Sequence, residues 1–177
     1  ASDTPFVALR LYEILREAGL PPGVLNYVTG GGATVGRTLV DSEDVEGLAF
    51  TGSKDVGLAA FASFTARRPR PIVTEMGGKN PTIVTESADL EAAAEGVMRA
   101  AFGYGGQKCS ATSRVLIDKK VQAEFTDLLV ERTDQIVIGP PHERDVFLGP
   151  VINADANGKF KRLAGLATIK KHRVRVG

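Results

Sequence analysis

The chain has no tryptophan, two methionines, two histidines and a single cysteine in 177 residues. One cysteine excludes an internal disulfide framework and points to a reducing, cytoplasmic compartment. His142 and His172 stand far apart, and neither has a second ligand at helical or hairpin spacing, which argues against a metal centre. A net charge of +1 supplies no long-range field, so neither a nucleic acid nor a membrane surface is implied as a partner. The basic cluster that closes the chain, GKFKRLAGLATIKKHRVRVG, reads as a solvated helix face, with a phosphate-binding arm as the alternative. No apolar run approaches the roughly 20 residues of a membrane span, and no signal-peptide pattern is present.

Apolar residues make up 43% of the chain and charged residues 24%, enough apolar mass for a core. Strand and helix signals alternate. Thr4-Pro5 predicts an N-cap and first helical position, with Gly19 as the stop. GVLNYVTG (23–30) predicts a short strand, GATVGRTLVDS a helix and GLAFTGS a buried strand, and Ser53 caps a helix to about Ala66. PRPIVTEMGG and NPTIVTES predict two more strands. Helices follow from about Ser87 to Phe102 and from Val121 to Asp134, flanking a strand at Arg114 to Asp118. A Pro/Gly-rich loop then leads to a last helix from about Asp155. This alternation predicts an α/β sheet with crossover helices. The chain opens on a helix with no strand before it and stops at RVRVG, like a strand just beginning, so a piece of a longer protein is expected.

FGYGGQKCSATSR carries the one cysteine. A lone cysteine is more often a small core residue than a nucleophile. Here the glycines before Cys109 leave a ligand room to reach the sulfur, and Lys108 beside it favours the thiolate, so both readings stay open. Glu75 ends an apolar strand beside two glycines. It is either an exposed strand end paired with Lys79, or a carboxylate whose burial has a use. A thiol with a carboxylate base and no suitable histidine fits covalent catalysis on a carbonyl followed by thioester hydrolysis. YVTGGGATVG and AFTGS each place glycine between a strand and a helix start, where free N–H groups attract phosphate. Gly30, Gly32 and Gly36 miss the spacing of the dinucleotide fingerprint, but two such corners favour a nucleotide site.

FTGS, EMGGKNP, GQKCSATSR and FLGPVI, in this order and at these intervals, resemble the NAD(P)-dependent aldehyde dehydrogenases over essentially the whole chain. The resemblance implies part of that family's α/β fold: residues 1–77 as the second half of a Rossmann-like cofactor domain, and 78–177 as the first half of the catalytic domain. It implies Cys109 as the nucleophile and Glu75 as the general base. It further implies Ser53, Gly52, Gly32, Val56 and Gly77 as contacts of NAD, or of NADP. Ser2 stands where many members have a ribose-binding glutamate, with Asp3 as a substitute. Three of the family's supporting groups fall outside this chain: an oxyanion asparagine and a cofactor lysine upstream, and a glutamate downstream. The isolated chain is therefore expected to have little activity. The resemblance implies a small-molecule aldehyde as partner and a homo-oligomeric parent enzyme. GGQKCSATSR resembles the branch that oxidises glutamate γ-semialdehyde, in which Ser110 would help hold the substrate carboxylate. Other semialdehydes, an inactive nucleotide-binding remnant and an acyl phosphate or acyl-CoA reductase are the alternatives.

Overall fold

The computed structural model describes residues 3–169. Ser2, His172 and the closing RVRVG lie outside the described residues. The chain divides into two compact units, Ala1–Met76 and Gly77–Gly177.

In the first unit, helix α1 (Pro5–Glu17) starts at the expected proline. Thr4 occupies the N-cap position, but its side chain makes no capping bond there. The start is instead tied down by the Tyr27 hydroxyl, which donates to the Pro5 carbonyl at 2.6 Å. Gly19 stops the helix as expected, with φ 93°. Leu20 N–H donates to Leu15 and Gly19 N–H to Arg16, both at 3.0 Å, a Schellman closure that needs the left-handed residue.

The strand expected at 23–30 is absent: these residues form turns and irregular chain, with Val24 and Val28 exposed. A β-rich composition makes a strand only where a neighbour supplies the ladder, and no described strand pairs here. The expected helix after it divides in two. One wide π-helical turn (Gly32–Gly36), closed by Gly36 N–H on the Gly31 carbonyl, leads into helix α2 (Arg37–Asp41).

Strand β1 (Leu48–Gly52) pairs in parallel with β2 (Ile72–Met76), Leu48 opposite Ile72 and Gly52 opposite Met76. Helix α3 (Lys54–Thr65) makes the crossover and buries Gly57, Ala60 and Phe64 along one stripe. A Cβ on Gly57 would lie 2.7 Å from the Met76 sulfur and 3.2 Å from the Phe50 ring, so the missing side chain sets how closely α3 approaches the strands.

Arg70 fastens the far end of α3. Its buried guanidinium donates to the Phe64 carbonyl through Nε (3.0 Å) and Nη2 (2.7 Å). Through Nη1 it donates to Ser42 (2.6 Å) and Val45 (2.8 Å), and it stacks 3.7 Å from the Phe64 ring centroid. Exposed contacts reinforce the junction: Ser63 to Asp41, Arg67 to Glu43 and Arg68 to Glu46. The Ser63 hydrogen bond, then Arg37, holds the Asp41 carboxyl below its usual value. A carboxyl lowered on folding stabilises at neutral pH, and that contribution fades as pH falls through its folded-state value. Arg70→Met should destabilise this unit by about 3 kcal/mol in urea unfolding, because the buried Phe64 carbonyl and the part-buried Ser42 and Val45 carbonyls lose their charged donor. Arg70→Lys should recover only part, since an ammonium cannot reproduce the planar fork.

In the second unit, β3 (Asn80–Val84) pairs in parallel with β4 (Thr112–Ile117), and helix α4 (Leu90–Phe102) crosses between them. The register shifts between Asn80 and Pro81, where the proline has no N–H to give the ladder. Helix α4 starts at Leu90, three residues later than the sequence predicts. Thr85 to Ala88 forms a turn first, and Asp89 caps the helix through the Ala92 N–H at 3.1 Å. The core joins Val84, Ala94, Val97 and Phe125, the last from helix α5 (Gln122–Asp134). Helix α6 (Ala154–Ile169) follows the Pro/Gly-rich loop. No helix among the described residues is long and apolar enough to cross a membrane. Each unit is thus a strand–helix–strand layer, as α/β patterning predicts.

Candidate active site

The first corner lies in the first unit, where β1 turns into α3. A Cβ on Gly52 would fall 2.5 Å from the Phe50 ring, so any side chain there would have to displace that ring. Ser53 adopts an extended conformation (φ −71°, ψ 152°) and accepts the Val56 N–H at 3.4 Å, as its sequence context predicts. Its hydroxyl proton remains free to donate outward. Val56 is exposed on the first turn, and Lys54 and Asp55 beside it balance in charge. Gly32 opens the π-helical turn with nothing within 4 Å of the space a Cβ would take.

Glu75 stands opposite Thr51 in the β1–β2 ladder. The sequence leaves it either an exposed strand end paired with Lys79 or a buried carboxylate. In the structure it is exposed and makes no ion pair among the described residues, because side chains alternate along β2 and Glu75 falls on the open face with Val73. Gly77 follows at the start of the second unit, exposed and open around its Cα.

The second corner, in the second unit, holds the sulfur. After α4 the chain passes through Tyr104, Gly105 and Gly106 at φ 57°, 64° and 67°. Three successive left-handed residues are costly for any side chain, on the order of 1–2 kcal/mol at Tyr104. Gly106 is needed here because a Cβ would lie 2.8 Å from the Ala101 carbonyl. These glycines therefore turn the backbone, a role beyond leaving space for a ligand. A β-turn then runs from Lys108 to Ala111, closed by Ala111 N–H on the Lys108 carbonyl at 3.2 Å. Cys109 and Ser110 are its two central residues, both exposed. Among the described residues, no backbone hydrogen bond engages the Cys109 or Ser110 N–H. The Lys108 ammonium reaches back to Gly103, 3.1 Å from where a Cβ would be.

Four residues here are not picked out by the sequence patterns. Asn80 of β3 donates its side-chain amide to the Cys109 carbonyl at 2.6 Å and reaches the Ala111 carbonyl at 3.4 Å. Gly78 leaves room for that contact, since a Cβ would lie 3.0 Å from the Cys109 oxygen. Thr82 and Thr112 join their hydroxyls across the strands at 2.9 Å. A polar asparagine starting a strand before proline is the only trace of this in the sequence. A shallow cavity of about 220 Å³ elsewhere in the unit is lined by paired charges such as Arg99 and Arg132 and includes none of the predicted site residues.

An exposed thiol at a turn apex, with free N–H groups beside it, can attack an electrophilic carbon and receive the negative oxygen that results. The chain is similar to known proteins over most of its length. The 1-pyrroline-5-carboxylate dehydrogenase of Anoxybacillus flavithermus is 44% identical over 165 residues, covering 90% of this chain and 32% of that protein. Proline utilization A from Bdellovibrio bacteriovorus superposes with a TM-score of 0.92 at 36% identity, over 99% of this chain and 19% of that one. The 1-pyrroline-5-carboxylate dehydrogenase from Thermus with bound NAD does so at 0.87 and 35%, over 95% and 33%. The chain spans about a third of the length of the curated relatives it matches. The aldehyde dehydrogenase family model matches residues 1–177, and the chain belongs to that family.

Proposed function

We propose that the protein oxidises an aldehyde to a carboxylate with NAD, and that the aldehyde is glutamate γ-semialdehyde. The observation that carries this reading is Cys109, held exposed at the apex of a hydrogen-bonded turn whose neighbouring N–H groups are unengaged. Residues 1–77 then act as the cofactor part and 78–177 as the nucleophile-bearing part.

The Cys109 thiolate adds to the aldehyde carbon and forms a thiohemiacetal. Its backbone N–H donates to the new oxyanion. When bound, NAD would supply the hydride acceptor for that carbon. Cys109 is then a thioester, and Glu75 takes a proton from the water that attacks it. Collapse breaks the C–S bond, releases the carboxylate and restores the thiolate.

The α3 start suits the cofactor. A helix start attracts anions, Ser53 can donate to a phosphate oxygen, and the exposed Val56 suits a flat apolar ring. Gly52, Gly32 and Gly77 leave the backbone open to close approach. NADP is the alternative where Ser2 replaces a carboxylate that would repel a 2′-phosphate.

Ser110, next to the nucleophile, would hydrogen-bond the substrate carboxylate. Ser110→Ala should raise KM for glutamate γ-semialdehyde about tenfold while leaving a short uncharged aldehyde within twofold, because one charge-assisted hydrogen bond is lost. NADH formation by the full-length protein reads both. A wild-type protein that reduces NAD with no aldehyde tested contradicts the function, and equal effects on both aldehydes contradict the assignment of Ser110.

A further inference from the structure

We infer that Asn80 is a positioning residue for the nucleophile, acting by fixing the peptide between Cys109 and Ser110; this rests on the proposed role of Cys109. In the Lys108–Ala111 turn the closing hydrogen bond uses the Lys108 carbonyl and the Ala111 N–H. The central peptide, made of the Cys109 carbonyl and the Ser110 N–H, has no partner within the turn. Common turn types differ by a near half-rotation of this unit, so it is the part of a β-turn most free to flip. Ser110 is not in the left-handed region, so the flipped turn is not the one present.

Asn80 removes that freedom from outside the turn. Its Nδ2 donates to the Cys109 carbonyl at 2.6 Å and also reaches Ala111 at 3.4 Å. Asn80 is itself held by the strand: it pairs with Thr112, and the next residue, Pro81, has φ fixed by its ring. Gly78 completes the fit, because a Cβ would press on the Cys109 oxygen at 3.0 Å and on both Asn80 amide atoms at 3.1 and 3.2 Å.

The consequence is electrostatic. Attack by the thiolate places a negative oxygen within a few bonds of the Cys109 backbone. A carbonyl free to rotate can bring its own negative end toward that oxygen. Held against Asn80, it cannot, and the Ser110 N–H, opposite the carbonyl across the peptide, points away from β3.

The test separates nucleophilicity from oxyanion support. With p-nitrophenyl acetate, the thiolate adds to the ester carbonyl, the tetrahedral oxyanion collapses, p-nitrophenolate leaves and an acetyl thioester remains, which water hydrolyses. With iodoacetamide, the sulfur bonds to carbon as iodide departs, and no oxyanion forms. In the full-length protein, Asn80→Asp keeps the shape but loses the donor and faces an anion to the carbonyl. It should slow the acylation burst about 10- to 100-fold while leaving alkylation within about twofold. Gly78→Ala, which crowds the same carbonyl from the other side, should split the two rates in the same direction and serves as the second arm if Asn80→Asp does not fold. Equal losses in both reactions, or no loss in acylation, overturn the inference. A wild-type protein that alkylates at Cys109 but never acylates overturns the catalytic reading instead, and this inference with it.

Discussion

Cys109→Ser should lower NAD-dependent aldehyde oxidation by about 10⁴-fold or more, with the fold retained. A serine hydroxyl is the same shape but stays protonated at neutral pH, and the mechanism offers it no adjacent base. Cys109 is exposed at a turn apex and fills no core position, so the substitution leaves no cavity. Circular dichroism and the melting temperature should match wild type while NADH formation disappears. Retained turnover above a few per cent contradicts the role. Loss of folding together with activity would instead make the sulfur a packing residue, as a lone cysteine more commonly is.

Glu75→Gln should leave the first half of the reaction standing. Addition of the thiolate and formation of the thioester need no carboxylate at this position, whereas the water that releases the product does. Steady-state turnover should fall on the order of 10²–10⁴-fold, with a rapid burst of NADH approaching one equivalent per site. Because Glu75 lies on the open face of β2, the amide should be accommodated without loss of stability. A variant with neither burst nor turnover contradicts the assignment, since the residue would then be needed before deacylation.

Much of this arrangement was legible in the residues. Strand–glycine–serine at Phe50 to Ser53 predicts a capped helix start, and the structure has one, with Ser53 on the Val56 N–H. Gly19 predicts the stop of α1 for a reason the dihedral bears out. Both signals are local: a cap or a left-handed turn depends on three or four neighbours in sequence. What escaped depends on distant partners. The 23–30 segment has a strand's composition but no described neighbour to pair with. Thr4 sits in place for a cap yet makes none, while Tyr27, 22 residues away, holds the helix start. Arg70 reads as one more cation in a basic run, and only the fold shows it buried on carbonyls of Ser42, Val45 and Phe64. Asn80 is 29 residues from the carbonyl it holds. Glu75 shows the opposite limit, because an apolar strand need not be buried on both faces.

The central claim is that substrate carbon becomes bonded to Cys109 during the reaction. Glu75→Gln protein mixed with NAD and glutamate γ-semialdehyde, quenched in acid within the burst and digested, tests it by peptide mass spectrometry. The account predicts the acyl mass on the peptide containing Cys109 in most molecules, and its absence when NAD is omitted. A full burst of NADH with Cys109 unmodified, or an adduct on another residue, contradicts it.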